Sequence, residues 1–254
     1  MALDRVPWSE LGPEFIATWG RWDPDDPQPE HMEFIGQNGS GKTFLKQQIF
    51  LEMARRRDSN IIVIATKQAD KTILAMNWPV AGNVREALKH DRCVFWPRTA
   101  KLGTARKEYQ AHHIGELLDK LWQPEANVII DFDEFAYAEA LSPDLKATCN
   151  TYLREGRSHG ITVVAGKQRP QGVQRDMHSE TRVTAMFKMK DSQDAERGAE
   201  LLGGDKKEMM AELRGLSLDK HEFILRHDQS DLTVISWVDA PVKAPARRED
   251  GYRK

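Results

Sequence analysis

Short apolar runs recur along the chain, separated by longer stretches of mixed polarity. Four of these runs are rich in β-branched or aromatic residues and lie at 61–64, 93–96, 128–130 and 161–164. Runs of this length, bounded by turn residues or helices, are typical of strands buried on both faces of a parallel sheet. The stretches between them predict helices near 84–89, 105–122 and 144–156. The pattern therefore predicts an α/β fold with a mostly parallel central sheet flanked by helices.

The two ends of the chain differ from this central pattern. Residues 1–31 combine a cluster of tryptophans with an acidic, proline-rich linker at 23–30. We expect the tryptophans to dock on the chain's own core, in preference to a neighbouring subunit. Two apolar runs, 222–226 and 233–237, flank a polar turn and predict a β-hairpin. We therefore expect a main domain over 32–238, followed by a flexible tail at 239–254 that is rich in proline and charge.

One motif carries direct chemical information. It follows the apolar pair at 34–35 and consists of Gly36, Gln37, Asn38, Gly39, Ser40, Gly41, Lys42 and Thr43. Its glycines let successive backbone N–H groups point at one anion, and the helix that follows, predicted to reach about residue 57, adds positive charge at its N-terminus. In such a P-loop Lys42 would reach the β- and γ-phosphates and Thr43 would hold Mg²⁺. The motif predicts that the chain binds a nucleoside triphosphate.

A second motif separates the classes of P-loop protein. The run at 128–130 leads into Asp131, Phe132, Asp133 and Glu134. A strand that ends in Asp-Glu supplies one carboxylate to the Mg²⁺ shell, here Asp133, and a base for the attacking water, here Glu134. Asp131 is the alternative metal ligand, although only Asp133 has an adjoining glutamate. The pair predicts hydrolysis and, with strands intervening between the two motifs, the RecA-like branch of P-loop proteins.

Polar residues further along the chain add two candidates to this site. Gln168 follows the run at 161–165, and at the carboxyl end of a strand beside the P-loop it would touch the γ-phosphate and the lytic water. Arg154 and Arg157 lie at the end of the helix predicted at 144–156. An arginine there is either a solvated cation at a helix end or a finger inserted into a neighbour's ATP site.

Taken together, these motifs resemble the FtsK–HerA superfamily of DNA-pumping ATPases. The resemblance spans about 33–237 and is carried by the segments 133–136, 157–161, 168–170, 181–183 and 198–203. It implies a RecA-like (ASCE) P-loop NTPase with ATP and Mg²⁺ as cofactors, and an arginine that bridges subunits. Arg157 matches that arginine best by position, with Arg154 and Arg182 as alternatives. Lys167 departs from the family, which has a small residue or threonine before the glutamine.

The resemblance also implies partners. It implies a homo-oligomeric ring, a pentamer or hexamer, with ATP at each interface and double-stranded DNA in the channel. Loops facing that channel should be basic and should grip phosphates without reading bases. The first candidates are Arg98, Lys101, Arg106 and Lys107, and the second are Arg169 and Arg175.

Several functions fit an ATPase of this kind. We expect a viral genome-packaging motor with a procapsid portal or vertex as partner, because no membrane segment or DNA-reading domain is visible. The alternatives are a plasmid or chromosome transfer ATPase of the same superfamily and an assembly or secretion ATPase of the filamentous-phage type. A transporter subunit of the ABC class is excluded, since the chain lacks the Leu-Ser-Gly-Gly-Gln signature.

Composition narrows the picture only slightly. The 254 residues include 37 Lys and Arg against 39 Asp and Glu, which gives a net charge of -2 and excludes a globally basic nucleic-acid coat. A local basic lining remains compatible with that balance. Cys93 and Cys149 have no metal-ligand spacing and are expected in the core of a protein from a reducing compartment. With no signal sequence and no membrane-length apolar run, we expect a cytoplasmic protein, in the host cytoplasm if it is viral.

Overall fold

A computed structural model describes residues 3–19, 30–56, 60–67, 71–171 and 175–238. The strands are β1 Arg5–Pro7, β2 His31–Ile35, β3 Asn60–Ile64, β4 Val80–Ala81, β5 Arg92–Phe95, β6 Val128–Phe132, β7 Ile161–Lys167, β8 Thr181–Phe187, β9 Phe223–His227 and β10 Leu232–Trp237. The helices are α1 Trp8–Trp19, α2 Lys42–Arg56, α3 Lys71–Leu74, α4 Val84–Ala87, α5 Gly103–Leu121, α6 Phe135–Glu139, α7 Pro143–Glu155, α8 Arg175–Glu180, α9 Ser192–Leu202 and α10 Lys206–Gly215. A 3₁₀ turn, Gly156–His159, follows α7. Most of the predicted linker and all of the predicted tail lie outside the described residues.

The described strands form one sheet in the order β1-β10-β9-β8-β2-β7-β6-β3-β5-β4. Strand β9 is antiparallel to β8 and β10, and the remaining pairs are parallel. Strand β2, which leads into the P-loop, lies between β7 and β8, and β7 separates it from the acidic strand β6. The carboxyl ends of β2, β3, β6 and β7 therefore meet at one edge, and the predicted mostly parallel α/β fold is confirmed.

Side chains of the central strands are buried on both faces of the sheet. In β3, Ile61 and Val63 pack into one cluster with residues of α1 and α2. Ile62 and Ile64 pack into a second cluster with residues of α4, α5 and α7. Because successive side chains of a strand point to opposite faces, a strand covered on both sides needs an unbroken apolar run. This explains the short β-branched runs of the sequence.

The N-terminal segment belongs to the same core. Strand β1 pairs in parallel with β10. On α1, Trp8, Phe15, Ile16 and Trp19 are all buried in the first cluster, and the rings of Phe15 and Trp19 stack with centroids 5.7 Å apart. The expectation that the tryptophans dock on the chain's own core is confirmed for Trp8 and Trp19, while Trp22 lies outside the described residues.

The predicted strands and the hairpin are present, but β8 was not predicted as a strand. Its sequence contains two threonines and an arginine, and six of its seven residues are nevertheless buried. Thr184 is buried because its hydroxyl donates a hydrogen bond to Glu33, on β2, at 3.0 Å. The polar residue is satisfied by a contact that only the tertiary fold creates. No helix within the described ranges combines the length and the apolar character needed to cross a membrane.

A buried ion pair joins the P-loop helix to the acidic strand. The ammonium of Lys46, on α2, lies 2.8 and 2.9 Å from the two carboxylate oxygens of Asp131, on β6. Both residues are almost fully buried, at 1% and 2% exposed. Burial raises the pKa of Asp131 to about 6, against the opposing effect of Lys46. The pair fixes α2 against β6 and therefore fixes the distance between the two motifs.

Removing one partner of this pair should be far more harmful than removing both. The substitution Lys46→Met leaves Asp131 buried without its partner, which we expect to cost about 3–5 kcal/mol of unfolding free energy. The double variant Lys46→Met/Asp131→Leu should recover most of that loss, because apolar residues of similar volume often replace buried ion pairs without penalty. Urea unfolding followed by circular dichroism measures both. The exposed control Lys120→Met should change stability by about 0.5 kcal/mol or less, and a single variant as stable as the wild type would contradict the assignment.

Candidate nucleotide site

The P-loop lies at the carboxyl end of β2 and leads into α2, as the sequence predicted. The backbone N–H of Gly36 donates to the carbonyl of Lys167 at 3.1 Å, and that of Ser40 donates to Gln37 at 3.2 Å. Gly41 has a φ of +107°, and a Cβ there would lie 2.8 Å from the Cβ of His221. Glycine is therefore required at this position both by the backbone conformation and by the close approach of His221.

The side chain of Lys42 is hydrogen-bonded to the backbone of the P-loop. Its ammonium donates hydrogen bonds to the carbonyls of Gly36 and Gln37, the latter at 3.0 Å. Burial lowers the pKa of Lys42 to about 8, with a smaller contribution from the neighbouring Lys46. A phosphate bound in the loop would oppose this effect and keep the ammonium charged.

The two rival carboxylates of the acidic motif have different surroundings. Both oxygens of Asp131 are engaged by Lys46. Asp133 is 7% exposed, and its Oδ2 accepts a hydrogen bond from the ammonium of Lys67 at 3.1 Å. Mg²⁺ prefers oxygen ligands, and the hydroxyl of Thr43 and the carboxylate of Asp133 could provide them. These surroundings favour Asp133 over Asp131 as the metal ligand.

Glu134 and Gln168, predicted from separate parts of the chain, lie in contact. The amide Nε2 of Gln168 donates to Oε2 of Glu134 at 2.7 Å. Burial raises the pKa of the Glu134 carboxyl above its ordinary value, while the hydrogen bond from Gln168 acts in the opposite direction. The contact depends on Gly166, where a Cβ would collide with the carbonyl oxygen of Asp133. Glycine at this position lets β7 pass close enough to the acidic strand.

A cavity of about 340 Å³ opens beside this contact. Its lining residues are Thr66, Lys67, Arg106, Glu134, Tyr137 and Gln168. Sequence reasoning missed the roles of Thr66, Lys67 and Tyr137 in this cavity. Thr66 and Lys67 had a usable signal, since they follow β3 at its carboxyl end in the way that Gln168 follows β7. Tyr137 had no such signal.

Arg106 was predicted as a DNA contact, but the structure places its side chain, which is only partly exposed, at the cavity. Its Nη2 donates to the carbonyl of Thr66 at 2.8 Å, and the side chain lines the cavity with Glu134 and Gln168. Its neighbour Lys107 is exposed. Adjacent residues on a helix point about 100° apart, so the first turns of α5 direct Arg106 inward and Lys107 outward.

The other basic candidates with described side chains lie on the surface. Arg98, Lys101 and Lys107 are exposed on the β5–α5 segment, residues 96–107, which consists of the loop after β5 and the first residues of α5, at the same edge of the sheet as the cavity. The guanidinium of Arg98 lies 4.8 Å from the centroid of the Trp96 ring, as in a cation–π contact. Arg169 is also exposed, and its Nε forms an ion pair with Asp194 at 2.9 Å. The side chain of Arg175 lies outside the described residues.

The three candidate bridging arginines lie at the opposite edge of the sheet. Arg157 precedes the amino end of β7, Arg154 lies in the last turn of α7, and Arg182 lies at the start of β8. The Nη1 of Arg182 is 3.5 Å from the carboxylate of Glu30. The seven residues of β7 separate Arg157 from Gln168 by roughly 20 Å at about 3.3 Å per residue. Arg157 therefore lies too far from Gln168 to reach a nucleotide bound beside it.

Lys167, the residue that departs from the pattern of the similar family, is buried and pairs with an acid on the P-loop strand. Its ammonium lies 3.5 Å from Glu33, a fully buried carboxylate on the P-loop strand. His178 also contacts Glu33, at 2.8 Å. Burial alone would raise the pKa of Glu33, but the hydrogen bond with His178 and the charge of Lys167 outweigh it, so that the pKa lies below its ordinary value. Glu33 thus provides a carboxylate partner for the buried ammonium of Lys167. Gln168 is still in contact with Glu134.

Comparison with known proteins gives similarity in structure but not in sequence. No protein-family model matches the chain, and no curated protein sequence matches it. Among solved structures, the genome packaging NTPase B204 from Sulfolobus turreted icosahedral virus 2, in complex with sulfate, matches with a TM-score of 0.61 at 14% identity. That match covers 84% of this chain and 97% of B204. B204 has also been solved in complex with AMPPCP.

Two longer proteins share the same architecture. The pCW3 conjugation coupling protein TcpA, with ATPγS, matches with a TM-score of 0.53 at 16% identity, over 81% of this chain and 59% of that one. The cytoplasmic domain of the Thermomonospora curvata type VII secretion ATPase EccC matches with a TM-score of 0.56 at 17% identity, over 88% of this chain and 27% of that one. At these identities the matches establish the fold. The chain has the fold that these NTPases and ATPases share, and the P-loop α/β fold that the motifs predicted is confirmed.

Proposed function

We propose that the chain hydrolyses ATP and uses the reaction to move double-stranded DNA. The observation that carries the proposal is the contact between Glu134 and Gln168, at the cavity on the sheet edge where the P-loop also lies. A carboxylate with a raised pKa next to an amide can accept a proton from water and orient that water. The same edge supplies Lys42 for the phosphates. These are the groups that hydrolysis of a nucleoside triphosphate requires.

The reaction can be assigned to these side chains. The oxygen of a water held by Glu134 and Gln168 bonds to the γ-phosphorus as the bond from that phosphorus to the β–γ bridging oxygen breaks. The proton of the water passes to the Glu134 carboxylate and from there to the phosphate released. Thr43 and Asp133 would hold Mg²⁺, which neutralises charge on the phosphates when it is bound. Lys42 supplies a further positive charge from within the P-loop.

The position of the arginines supports a ring. Because Arg157 lies at the edge opposite the cavity, its guanidinium would complete the site of a neighbouring subunit and make hydrolysis depend on that neighbour. A closed ring of five or six subunits would bring every Arg157 to a nucleotide. The exposed segment with Arg98, Lys101 and Lys107 would contact DNA phosphates.

Packaging of a viral genome is the specific role that we propose. The similarity to B204, named as a genome packaging NTPase, extends over nearly all of that protein. This role would place the chain in the cytoplasm of an infected cell, at a portal or vertex of the procapsid. The similarity to TcpA and EccC favours two alternatives, DNA transfer in conjugation and a secretion ATPase that does not act on DNA. The response to DNA separates the last from the other two.

Two substitutions should separate binding from chemistry. Glu134→Gln should keep ATP binding but lower kcat by about 10²-fold or more, because the amide cannot accept the proton. Lys42→Ala should instead lose nucleotide binding. Fluorescent ATP-analogue titration and steady-state phosphate release measure the two effects. A Glu134→Gln variant that hydrolyses ATP at the wild-type rate would show that another group is the base.

Mixing of inactive subunits should reveal the bridging arginine. Arg157→Ala subunits should be inactive alone and should regain some turnover when mixed with Glu134→Gln subunits, since each lacks what the other supplies. The matched control mixes Lys42→Ala with Glu134→Gln, where both lesions lie in the subunit's own site and no activity should return. Subunit exchange is verified by native mass spectrometry. If exchange occurs and the first mixture stays inactive, Arg157 does not act across the interface.

Duplex DNA should stimulate the ATPase in a sequence-independent, salt-sensitive way. Replacing Arg98, Lys101 and Lys107 together by glutamine should raise the duplex concentration needed for half-maximal stimulation. The plot of log affinity for DNA against log salt concentration should also become less steep, because roughly three fewer counterions are released, one for each lost cation.

The matched control for this experiment carries three equivalent changes elsewhere. Arg85, Lys89 and Arg92 are exposed, and their replacement by glutamine removes the same charge away from the β5–α5 segment. This control should respond to duplex DNA like the wild type. A wild-type rate that never responds to duplex DNA, in protein shown to be oligomeric, would refute the motor and favour the secretion ATPase.

A further inference from the structure

Of the four basic residues predicted to contact DNA from the β5–α5 segment, Arg106 alone lines the cavity. Its Nη2 donates to the carbonyl of Thr66, and its Nε is buried without a hydrogen-bond partner among the described residues. A guanidinium has five N–H donors in a fixed planar arrangement. A buried donor without a partner is costly, so such a group points to a ligand that supplies acceptors. The acceptors would have to enter through the cavity.

The backbone that positions Arg106 is held independently of it. Gln110, one turn further along α5, also donates to the Thr66 carbonyl, at 2.9 Å. The hydroxyl of Tyr137 in turn donates to Oε1 of Gln110 at 3.0 Å. This chain of hydrogen bonds ties α5 and α6 to the loop after β3. The contact of Arg106 with Thr66 is therefore not needed to anchor the helix.

The charges around the cavity are unequally matched. The carboxylate of Asp133 is paired with Lys67, and Glu134 is hydrogen-bonded by the neutral amide of Gln168. No described carboxylate forms an ion pair with Arg106, whose hydrogen bond goes to a neutral carbonyl. The cavity thus contains a guanidinium whose charge is not neutralised, beside the residue proposed as the base. A planar cation in that place suits a phosphoryl group on which negative charge develops.

We infer that Arg106 is a catalytic residue that contacts the γ-phosphoryl group of ATP bound in its own subunit. The inference rests on the proposed ATPase function. It gives each site two arginines, Arg106 from the same subunit and Arg157 from the neighbouring one. As the bond to the bridging oxygen breaks, charge moves onto the phosphoryl and leaving oxygens, and a guanidinium fixed at the cavity wall stabilises that charge. Arg106 would then act more strongly on the transition state than on bound ATP.

The test compares three variants with the wild type. Arg106→Gln should lower kcat by about 10²-fold or more while KM changes by only about threefold, because the contact strengthens in the transition state. Arg106→Lys should recover part of that loss, since it restores charge without the planar geometry. The control Gln110→Leu removes the other donor to Thr66, and its effect on kcat should be much smaller. Thermal unfolding verifies that each variant is folded.

A binding measurement separates a catalytic role from a positioning role. In Arg106→Gln, affinity for ADP with aluminium fluoride, which mimics the transferred phosphoryl group, should fall by at least tenfold more than affinity for ADP. Equal losses for the two ligands, or a Gln110→Leu variant as slow as Arg106→Gln, would show that the arginine only positions the loop. An Arg106→Gln kcat equal to that of an active wild type would overturn this inference alone. A wild type without ATPase activity would overturn the proposed function as well.

Discussion

The buried ion pair between Lys46 and Asp131 is the constraint on which the site depends. Asp131 and Asp133 are two positions apart on one strand and its continuation, so both would otherwise present a carboxylate on the same side. Lys46 neutralises the first, at 2.8 and 2.9 Å, and lies 4.0 Å from the second. One helix therefore carries the P-loop at its start and, one turn later, the ammonium that pairs with Asp131 and leaves Asp133 as the proposed metal ligand.

The order of the strands distributes the remaining functions between two edges. Parallel pairing brings the P-loop, the acidic motif and Gln168 to the carboxyl edge, and Gly166 allows β7 to approach the acidic strand closely. The arginine candidates for contact between subunits lie at the amino edge. Under the proposed function, a subunit with this arrangement would carry out hydrolysis at one edge and complete a neighbour's site at the other. Head-to-tail assembly into a ring would satisfy both requirements.

Features encoded in a few consecutive residues were predictable from the sequence. The P-loop, the acidic pair and Gln168 each follow a short apolar strand, and the rule that strand ends converge places them together. The phase of a helix was not predictable at the level of a single residue, and Arg106 and Lys107 were therefore given the same role. Contacts between distant segments could not be predicted from the sequence either. His221, for example, contacts the P-loop at Ser40, 181 positions away in the chain. The buried position of Glu33, whose carboxylate pairs with Lys167, could not be predicted either, because its partners come from three different elements, β7, α8 and β8.

The central claim is that hydrolysis in this cavity moves duplex DNA, and a triplex-displacement assay tests it most directly. A third strand annealed to one end of a duplex is released when a translocase passes along that duplex. The account predicts release with ATP and Mg²⁺, and none with a non-hydrolysable ATP analogue or with Glu134→Gln. If the wild type hydrolyses ATP in the presence of the duplex and the third strand stays bound, the account of a DNA motor is contradicted.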